Sequence, residues 1–227
     1  MTSITKIAVA CAALAAASGA FAQKAGDNIV GVGIASVNPS ANLGPLTNSN
    51  GANVADSTAS VGSATTISFG LLHMFTDSIG AEFTLGVPPR VTMDLNAPHL
   101  GGAFPSAAKV DVWTPTVVAK YFFGTAQDKW RPYAGLGVSR VSFHNVGLSD
   151  DVTIQHLGAI SSSMTSSWTP VYNAGAIYNI DDKWSINGSV SYLPVKTSAT
   201  FVGVAGTTTG DIKMNTTDYV IRLGYRF

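Results

Sequence analysis

The strongest constraint on the fold of this chain is a two-residue alternation of apolar and polar side chains that ends at an aromatic carboxyl terminus. Within residues 212–227, one face carries Thr217, Tyr219, Ile221, Leu223, Tyr225 and Phe227, and the other carries Asp218, Val220, Arg222, Gly224 and Arg226. A period of two indicates a β-strand with two unlike faces. Aromatic side chains at both ends of the apolar face, with arginines on the opposite face, fit a strand between lipid and a polar lumen. A strand of a soluble protein can alternate in the same way, so this stretch alone leaves both interpretations open.

The alternation recurs along the chain in segments whose connections differ in length. We predict eight strands, at 29–37, 66–75, 79–87, 110–123, 130–143, 167–179, 184–195 and 212–227. Short turns alternate with long connections, which we predict as loops at 40–63, 88–109, 144–166 and 196–211, with Pro39 as the breaker that ends the first strand. This pattern is typical of outer-membrane barrels with short periplasmic turns and long extracellular loops. We therefore predict an all-β fold, an eight-stranded antiparallel up-and-down transmembrane β-barrel with four long extracellular loops.

The amino terminus predicts export. Lys6, an apolar run and small residues before position 22 are typical of a signal peptide, which we place at 1–22, leaving 23–227 as the barrel. The only cysteine, Cys11, lies in that peptide, so the mature chain has no thiol. Only 11% of the residues are charged, against roughly 25% in average soluble proteins, and no later apolar run reaches the ~18 residues of a membrane helix. The nearly balanced charge gives no basic surface for nucleic acid.

Charged residues on the inward face distinguish between two kinds of barrel. They are Glu82, Lys120, Arg131, Arg222 and Arg226. A soluble lipocalin-like barrel also has eight strands, but it would turn its Phe, Leu and Val face inward and its charges outward. The sequence therefore favours the membrane barrel. We expect Glu82, Lys120, Arg131 and Arg222 to neutralise one another in the lumen, where an unpaired charge is costly; a polar plug or gate is the functional alternative.

Aromatic residues mark the predicted periplasmic boundary. Trp130 and Trp184 each begin a strand after a short turn, while Tyr121 and Phe123 end one. Aromatic side chains concentrate at membrane interfaces, so we expect a periplasmic girdle. We expect the terminal Phe227 to be the contact for the outer-membrane assembly machinery.

No pattern of catalytic or metal-binding residues is evident. The four histidines, His73, His99, His144 and His156, lie far apart without metal-ligand spacing. Outer-membrane lipid-modifying enzymes place a serine beside a histidine, and only Ser142 and His144 come close to that arrangement, which we attribute to chance. We predict no enzyme activity, no metal and no cofactor.

Several short motifs, in order along the chain, carry a family resemblance. They are VGSATT at 61–66, FTDSIGAE at 75–82, Pro115-Thr116, YFFG at 121–124, RPYAGLG at 131–137 and GYRF at 224–227. With these motifs the sequence resembles the outer-membrane protein W family, which includes alkane-uptake porin-like proteins. The resemblance implies an eight-stranded barrel with a narrow, largely apolar lumen that passes small hydrophobic molecules. It leaves open whether these leave along the barrel axis or sideways into the bilayer.

These features together give the expected function, a passive channel for small hydrophobic molecules in the bacterial outer membrane. The inward face predicts a solute path along Leu72, Met74, Val118, Phe122, Tyr133 and Val220, and apolar loop residues predict an entrance at Leu100, Phe104 and Phe143. The loop residues can equally form a lid that only holds the loop down. Outer-membrane lipids and lipopolysaccharide are the expected surroundings, with Arg140 suited to a lipopolysaccharide phosphate. A structural or adhesive barrel is the main alternative, and a lipid-modifying enzyme is a further one.

Overall fold

The computed structural model describes residues 23–44, 46–49, 53–54, 57–98, 101–204 and 206–227. The predicted signal peptide lies outside them. The described elements are β1 (Asn28–Leu43), β2 (Leu46–Asn48), β3 (Asn53–Val54), β4 (Thr58–Val61), β5 (Ala64–Met74), β6 (Ile79–Gly86), β7 (Arg90–Ala97), β8 (Gly102–Trp113), β9 (Thr116–Phe122), β10 (Trp130–Leu148), α1 (Val152–Gly158), β11 (Ser161–Met164), β12 (Ser167–Asn179), β13 (Trp184–Gly203) and β14 (Gly206–Arg226).

Eight of these strands form a closed antiparallel ring. Its order is β1, β5, β6, β9, β10, β12, β13 and β14. The ring closes because β1 pairs with β5 on one side and with β14 on the other, so that Val32 lies opposite both Phe69 and Leu223. Closure removes the free edges that an open sheet would expose to lipid. The predicted eight-stranded up-and-down barrel is confirmed.

The two faces of the ring strands differ as predicted. Along β14, Tyr219, Ile221 and Leu223 are exposed, whereas Arg222 between them is buried. On β5, Phe69 and Leu71 are exposed and their neighbours point inward. Large apolar side chains therefore cover the outside of the ring, where a soluble barrel would place charges. Among the described residues, no helix is both long and apolar enough to cross a membrane.

Aromatic pairs mark the short-turn end of the barrel, which we call the periplasmic end. The ring centroids lie 5.2 Å apart in Tyr121–Phe123, 4.8 Å apart in Trp130–Tyr178 and 5.0 Å apart in Trp184–Tyr225. The predicted girdle of aromatic side chains at the short-turn end is confirmed. Nearer the other end, exposed aromatic side chains form a second band that includes Trp113, Trp168, Tyr192 and Tyr219.

Pro39 does not end the first strand. β1 continues through it to Leu43 and stays paired with β14, with Pro39 opposite Thr216. The pairing of β1 with β5, by contrast, stops at Val37 and Ala64. Beyond Val37 that side of β1 is an edge, and proline is tolerated there because no ladder partner needs its missing N–H.

The long connections are ordered extensions of the barrel, which is where loop assignment from composition was wrong. Residues 40–63 contain β2, β3 and β4, and Leu46 among them is only 4% exposed, so part of this segment packs against the rest of the protein. Residues 88–109 contain the β7–β8 hairpin, residues 144–166 contain α1 and β11, and residues 196–211 continue the β13–β14 hairpin. Strands made of small and polar residues can pair outside the membrane, because ladder hydrogen bonds satisfy their backbone N–H and C=O groups in water as in lipid. The predicted strand 110–123 is in turn broken at Thr114 and Pro115.

Candidate functional site

The lumen is filled at its periplasmic end by an apolar cluster. Inward faces of five strands contribute Ile29, Leu72, Met74, Phe122, Tyr133 and Ile177. Met74 and Phe122 have no exposed surface, and the rings of Phe122 and Tyr133 lie 5.1 Å apart. We call this group the periplasmic plug. Leu72, Met74, Phe122 and Tyr133, which we predicted on the solute path, pack against one another in this plug.

Arg131 lies in the same region and does not join the other inward charges. It is fully buried, and its Nη1 and Nη2 donate to the backbone oxygens of Gln23 (2.7 Å) and Asp77 (2.5 Å). Gln23 in turn donates to Asn179 Oδ1 at 2.6 Å. The predicted neutralisation of Arg131 by the other lumen charges is therefore wrong. Because Arg131 follows Trp130 at the start of β10, its side chain reaches the segments that close the periplasmic end of the barrel.

Above the plug, Glu82, Lys120 and Arg222 form one ion-paired cluster, whereas Arg226 pairs with Asp27 at 3.1 Å. Glu82 Oε2 lies 2.8 Å from Lys120 Nζ, and Glu82 Oε1 lies 3.0 Å from Arg222 Nη1. Their exposed fractions are 6%, 2% and 4%. Arg222 also donates to Ser68 Oγ at 2.8 and 3.1 Å, so the guanidinium is held from two sides. A buried charge of this kind is tolerated when it is paired and hydrogen-bonded.

Glycine on the facing strand makes room for this cluster. A Cβ added at Gly70 of β5 would lie 3.0 Å from Arg222 Nη1 and 3.3 Å from Arg222 Cζ. Contacts that short are rarely tolerated unless the neighbour moves. The absence of a side chain at Gly70 therefore leaves room for the Arg222 guanidinium to reach Glu82.

A polar cavity begins at the charged cluster and extends away from the plug. It contains about 710 Å³ of space, counting its open part, and Glu82 and Arg222 form part of its wall. Hydroxyl and amide side chains line much of the rest, including Thr66, Ser68, Thr84, Thr114, Thr116, Asn173, Ser189 and Ser191. Val118 and Val220, which we predicted to line the solute path, lie in this wall, and so does Asp218.

Two further cavities continue toward the extracellular end, and both are almost wholly apolar. The first, of about 660 Å³ counting its open part, is lined by Val91, Val110, Val141, Phe143, Leu193, Val195 and Met214, among others. The second, of about 640 Å³ counting its open part, is lined mainly by Leu43, Leu46, Leu95, Leu148, Ile154 and Phe201. Met93 and Ile212 lie in both walls, while Leu193 and Asp218 join the first of them to the polar cavity. We call these two cavities together the apolar vestibule.

The predicted entrance residues have different positions in this arrangement. Phe143 is buried on the inner face of β10 and lines the vestibule. Phe104 lies opposite Leu95 in the β7–β8 hairpin, half-buried and outside the walls of the three cavities. Leu100 falls outside the described residues. Arg140 is exposed on the outer face, 5.4 Å above the ring of Trp168.

The wall of the barrel is interrupted beside the polar cavity. β6 pairs with β9 only as far as Thr84 and Thr116, and pairing across this seam resumes at Arg90 and Asp111. Between those two pairs, residues 85–88 face residues 113–115 without a ladder. Pro88 and Pro115 have no N–H to donate, which explains why the ladder stops there. Val87 and Thr114, one on each side of the interruption, both line the polar cavity.

A lipid-facing ring, two aromatic bands and a lumen with a closed floor define an outer-membrane β-barrel. The OmpW family model matches residues 24–227, and the chain belongs to that family. It is 31% identical to outer membrane protein W of Vibrio cholerae over 218 residues, 95% of this chain and 96% of that protein. It is 26% identical to outer membrane protein AlkL of Ectopseudomonas oleovorans over 202 residues, 88% of this chain and 80% of that protein. The predicted resemblance and the outer-membrane location are confirmed.

The solved structures agree with this family assignment. The crystal structure of outer membrane protein OprG from Pseudomonas aeruginosa matches with a TM-score of 0.82 and 26% identity. The match covers 91% of this chain and 98% of that one. The correspondence therefore includes the extracellular extension as well as the ring.

Proposed function

We propose that this protein is a channel for the passive uptake of small hydrophobic molecules across the outer membrane. The observation that carries this proposal is the apolar vestibule, which continues from the extracellular extension into the ring. Most of its lining is apolar, with Asp94, Asp218 and three threonines as the polar exceptions. Water inside it therefore finds few hydrogen-bond partners, and an apolar solute entering it is removed from water. Removing apolar surface from water is favourable by roughly 25 cal/mol per Å².

Exit through the side of the barrel fits the geometry better than exit along the axis. The periplasmic plug and the buried Arg131 fill the floor below the polar cavity. Between residues 85–88 and 113–115, by contrast, a solute could pass through the wall without breaking any ladder pair. A solute leaving there would enter the outer leaflet or the middle of the bilayer.

The experiment is uptake of hydrophobic solutes of graded size into liposomes that contain the purified barrel. Phe143→Asp places a charge in the vestibule wall, and we expect it to slow uptake. Phe104→Asp and Leu100→Asp test the predicted loop entrance in the same assay. Ala103→Asp, an exposed position beside Phe104, is the matched control and should leave uptake unchanged. Phe143→Ala, which enlarges the vestibule without a charge, should allow larger solutes to pass.

Two outcomes would contradict parts of the proposal. Equal uptake with and without the protein would favour the structural or adhesive alternative. Wild-type uptake by folded Leu100→Asp, Phe104→Asp and Phe143→Asp variants would instead mean that solutes do not enter through the extracellular extension.

Outer-membrane lipid and lipopolysaccharide are proposed surroundings, with Arg140 on the lipid-facing side placed to meet a phosphate. Recognition of Phe227 by the assembly machinery stays a prediction.

A further inference from the structure

Three polar side chains form a row across neighbouring strands where the polar cavity meets the vestibule. Asn173 of β12 lies opposite Ser191 of β13, and Ser191 lies opposite Asp218 of β14. All three line the polar cavity, and Asp218 also lines the vestibule. Opposite residues in an antiparallel sheet are neighbours about 4.5–5.5 Å apart. The three side chains therefore present one continuous polar strip to the lumen.

Two oxygens of this strip are buried without a hydrogen-bond partner in the described part of the chain. They are Asn173 Oδ1 and Asp218 Oδ1. The orientation of the Asn173 amide is fixed because its Nδ2 donates to Val190 O at 3.2 Å and to Ser191 Oγ at 2.9 Å. Rotating the amide would place its oxygen against the Val190 carbonyl. The unpartnered atom of Asn173, which is only 8% exposed, is thus an acceptor, like the carboxylate oxygen of Asp218.

The cations of the lumen do not serve these acceptors. Lys120 and Arg222 are paired with Glu82. Arg222 is four residues from Asp218 on the same strand, which is about 13 Å at the rise of an extended chain. A buried acceptor without a donor is costly. A donor supplied by a bound molecule would offset that cost.

We propose that the Asn173–Ser191–Asp218 row binds the hydrogen-bond-donating head group, ammonium or hydroxyl, of an aliphatic molecule whose chain lies in the apolar vestibule. This inference rests on the proposed function and narrows its substrates from apolar molecules in general to amphiphiles with a donor head. Asp218 is the specificity-determining residue. In its ionised form the Asp218 carboxylate attracts an ammonium head and repels a carboxylate head, while Asn173 accepts from either kind of donor.

The test compares four molecules of equal chain length on the barrel in lipid nanodiscs: octylamine, 1-octanol, octanoate and octane. Binding is followed by calorimetry and by NMR shifts of the Asn173 side-chain amide. Because a hydrogen bond to a charged group contributes about 1.5–3 kcal/mol, we expect octylamine to bind at least about tenfold tighter than octanoate. Asp218→Asn keeps the shape of the side chain and should bring the two affinities to within about twofold. Asp211→Asn, an exposed change on the same strand, is the control and should leave the ratio unchanged.

The outcomes separate this inference from the proposed function. An unchanged amine-to-carboxylate ratio in Asp218→Asn, or octane binding as well as octylamine to the wild type, would overturn the inference. Liposome uptake of octane is measured in parallel. Octane uptake without discrimination between head groups supports the proposed channel and contradicts head-group binding by the Asn173–Ser191–Asp218 row. Discrimination between head groups without octane uptake supports that binding and contradicts the proposed channel. If Asp218→Asn folds poorly, Asn173→Asp provides a second variant, because a second carboxylate in the row should raise the preference for the amine.

Discussion

At the residue scale, one carboxylate organises the charge inside the barrel. Glu82 contacts Lys120 with one oxygen and Arg222 with the other, so a single acidic side chain forms ion pairs with cations from two strands. The inward parity of all three was readable from the sequence. The sequence did not show that Arg131 lies apart from these three residues. The alternation tells which face of a strand a residue is on, but not how deep in the barrel it lies.

We expect Glu82→Gln to destabilise the barrel by about 3–5 kcal/mol, because it leaves Lys120 and Arg222 buried with an uncompensated charge. Unfolding in urea with the protein in lipid vesicles measures this. Arg90→Gln is the control, since the Arg90–Asp111 pair spans 3.5 Å with Arg90 59% exposed, and such pairs contribute less than about 1 kcal/mol. A double variant with Lys120→Met should recover part of the loss. Equal stability of Glu82→Gln and wild type would show that the cluster is solvated.

A second residue-scale prediction concerns the periplasmic turn at Asp181. Its Oδ1 accepts from the backbone N–H groups of Lys183 and Trp184, each at 2.8 Å, and these bonds hold the pKa of Asp181 below its usual range. A lowered pKa stabilises the turn above the ordinary pKa of the group, and this contribution is lost as pH falls through the lowered value. The protection factor of the Trp184 amide, which corrects for the intrinsic pH dependence of exchange, should therefore fall on acidification. Asp181→Asn keeps a hydrogen-bond acceptor at this position and should remove the pH dependence of protection at Trp184. If the pH dependence persists in this variant, it arises from another group.

At the element scale, alternation identified the ring strands but not where they end. All eight predicted segments lie in or overlap ring strands, since lipid outside and packed side chains inside impose two unlike faces. Outside the membrane both faces meet water or protein, and the alternation fades even though pairing continues. That is why the extensions of β1, β13 and β14 were predicted as loops, and why the helix α1 was missed. Asp151, which caps α1 by accepting from Thr153 and Ile154, was the one local signal of it.

The position of the lipid-facing hydrophobic band can be tested by introducing a single arginine on the outer face. Leu223 is exposed on β14 between Val32 and Ile186, both of which are also exposed. We expect Leu223→Arg to cost about 2–4 kcal/mol if this ring of residues lies at mid-bilayer. Ser40→Arg, on the extension of β1 beyond the membrane, should be nearly silent. Folding titrations in lipid vesicles compare the two, and equal costs would mean that the hydrophobic band is misplaced.

At the scale of the whole molecule, the compartments of the lumen follow a definite order, on which the proposed channel function depends. Apolar vestibule, polar cavity, ion-paired cluster and plug follow one another along the axis, and neighbouring cavities share wall residues. The sequence predicted the inward residues without predicting this order. Contacts such as Phe122 with Tyr133, or Glu82 with Lys120 and Arg222, depend on how far each strand is staggered against the next. Only the register of the closed ring supplies that information.

The side exit can be tested by closing the interruption in the wall. Because Cys11 is the only native cysteine and lies in the predicted signal peptide, Val87→Cys and Thr114→Cys can be joined by bismaleimides of graded length in the otherwise thiol-free barrel. Linking the two sides should stop or strongly slow the release of a hydrophobic solute into lipid, because residues 85–88 and 113–115 can no longer separate. Val32→Cys with Leu223→Cys, across the fully paired seam of β1 and β14, is the control and should transport normally with the same reagents. If cross-linked Val87→Cys/Thr114→Cys transports at the control rate, the solute leaves elsewhere, and the plug must then open along the axis.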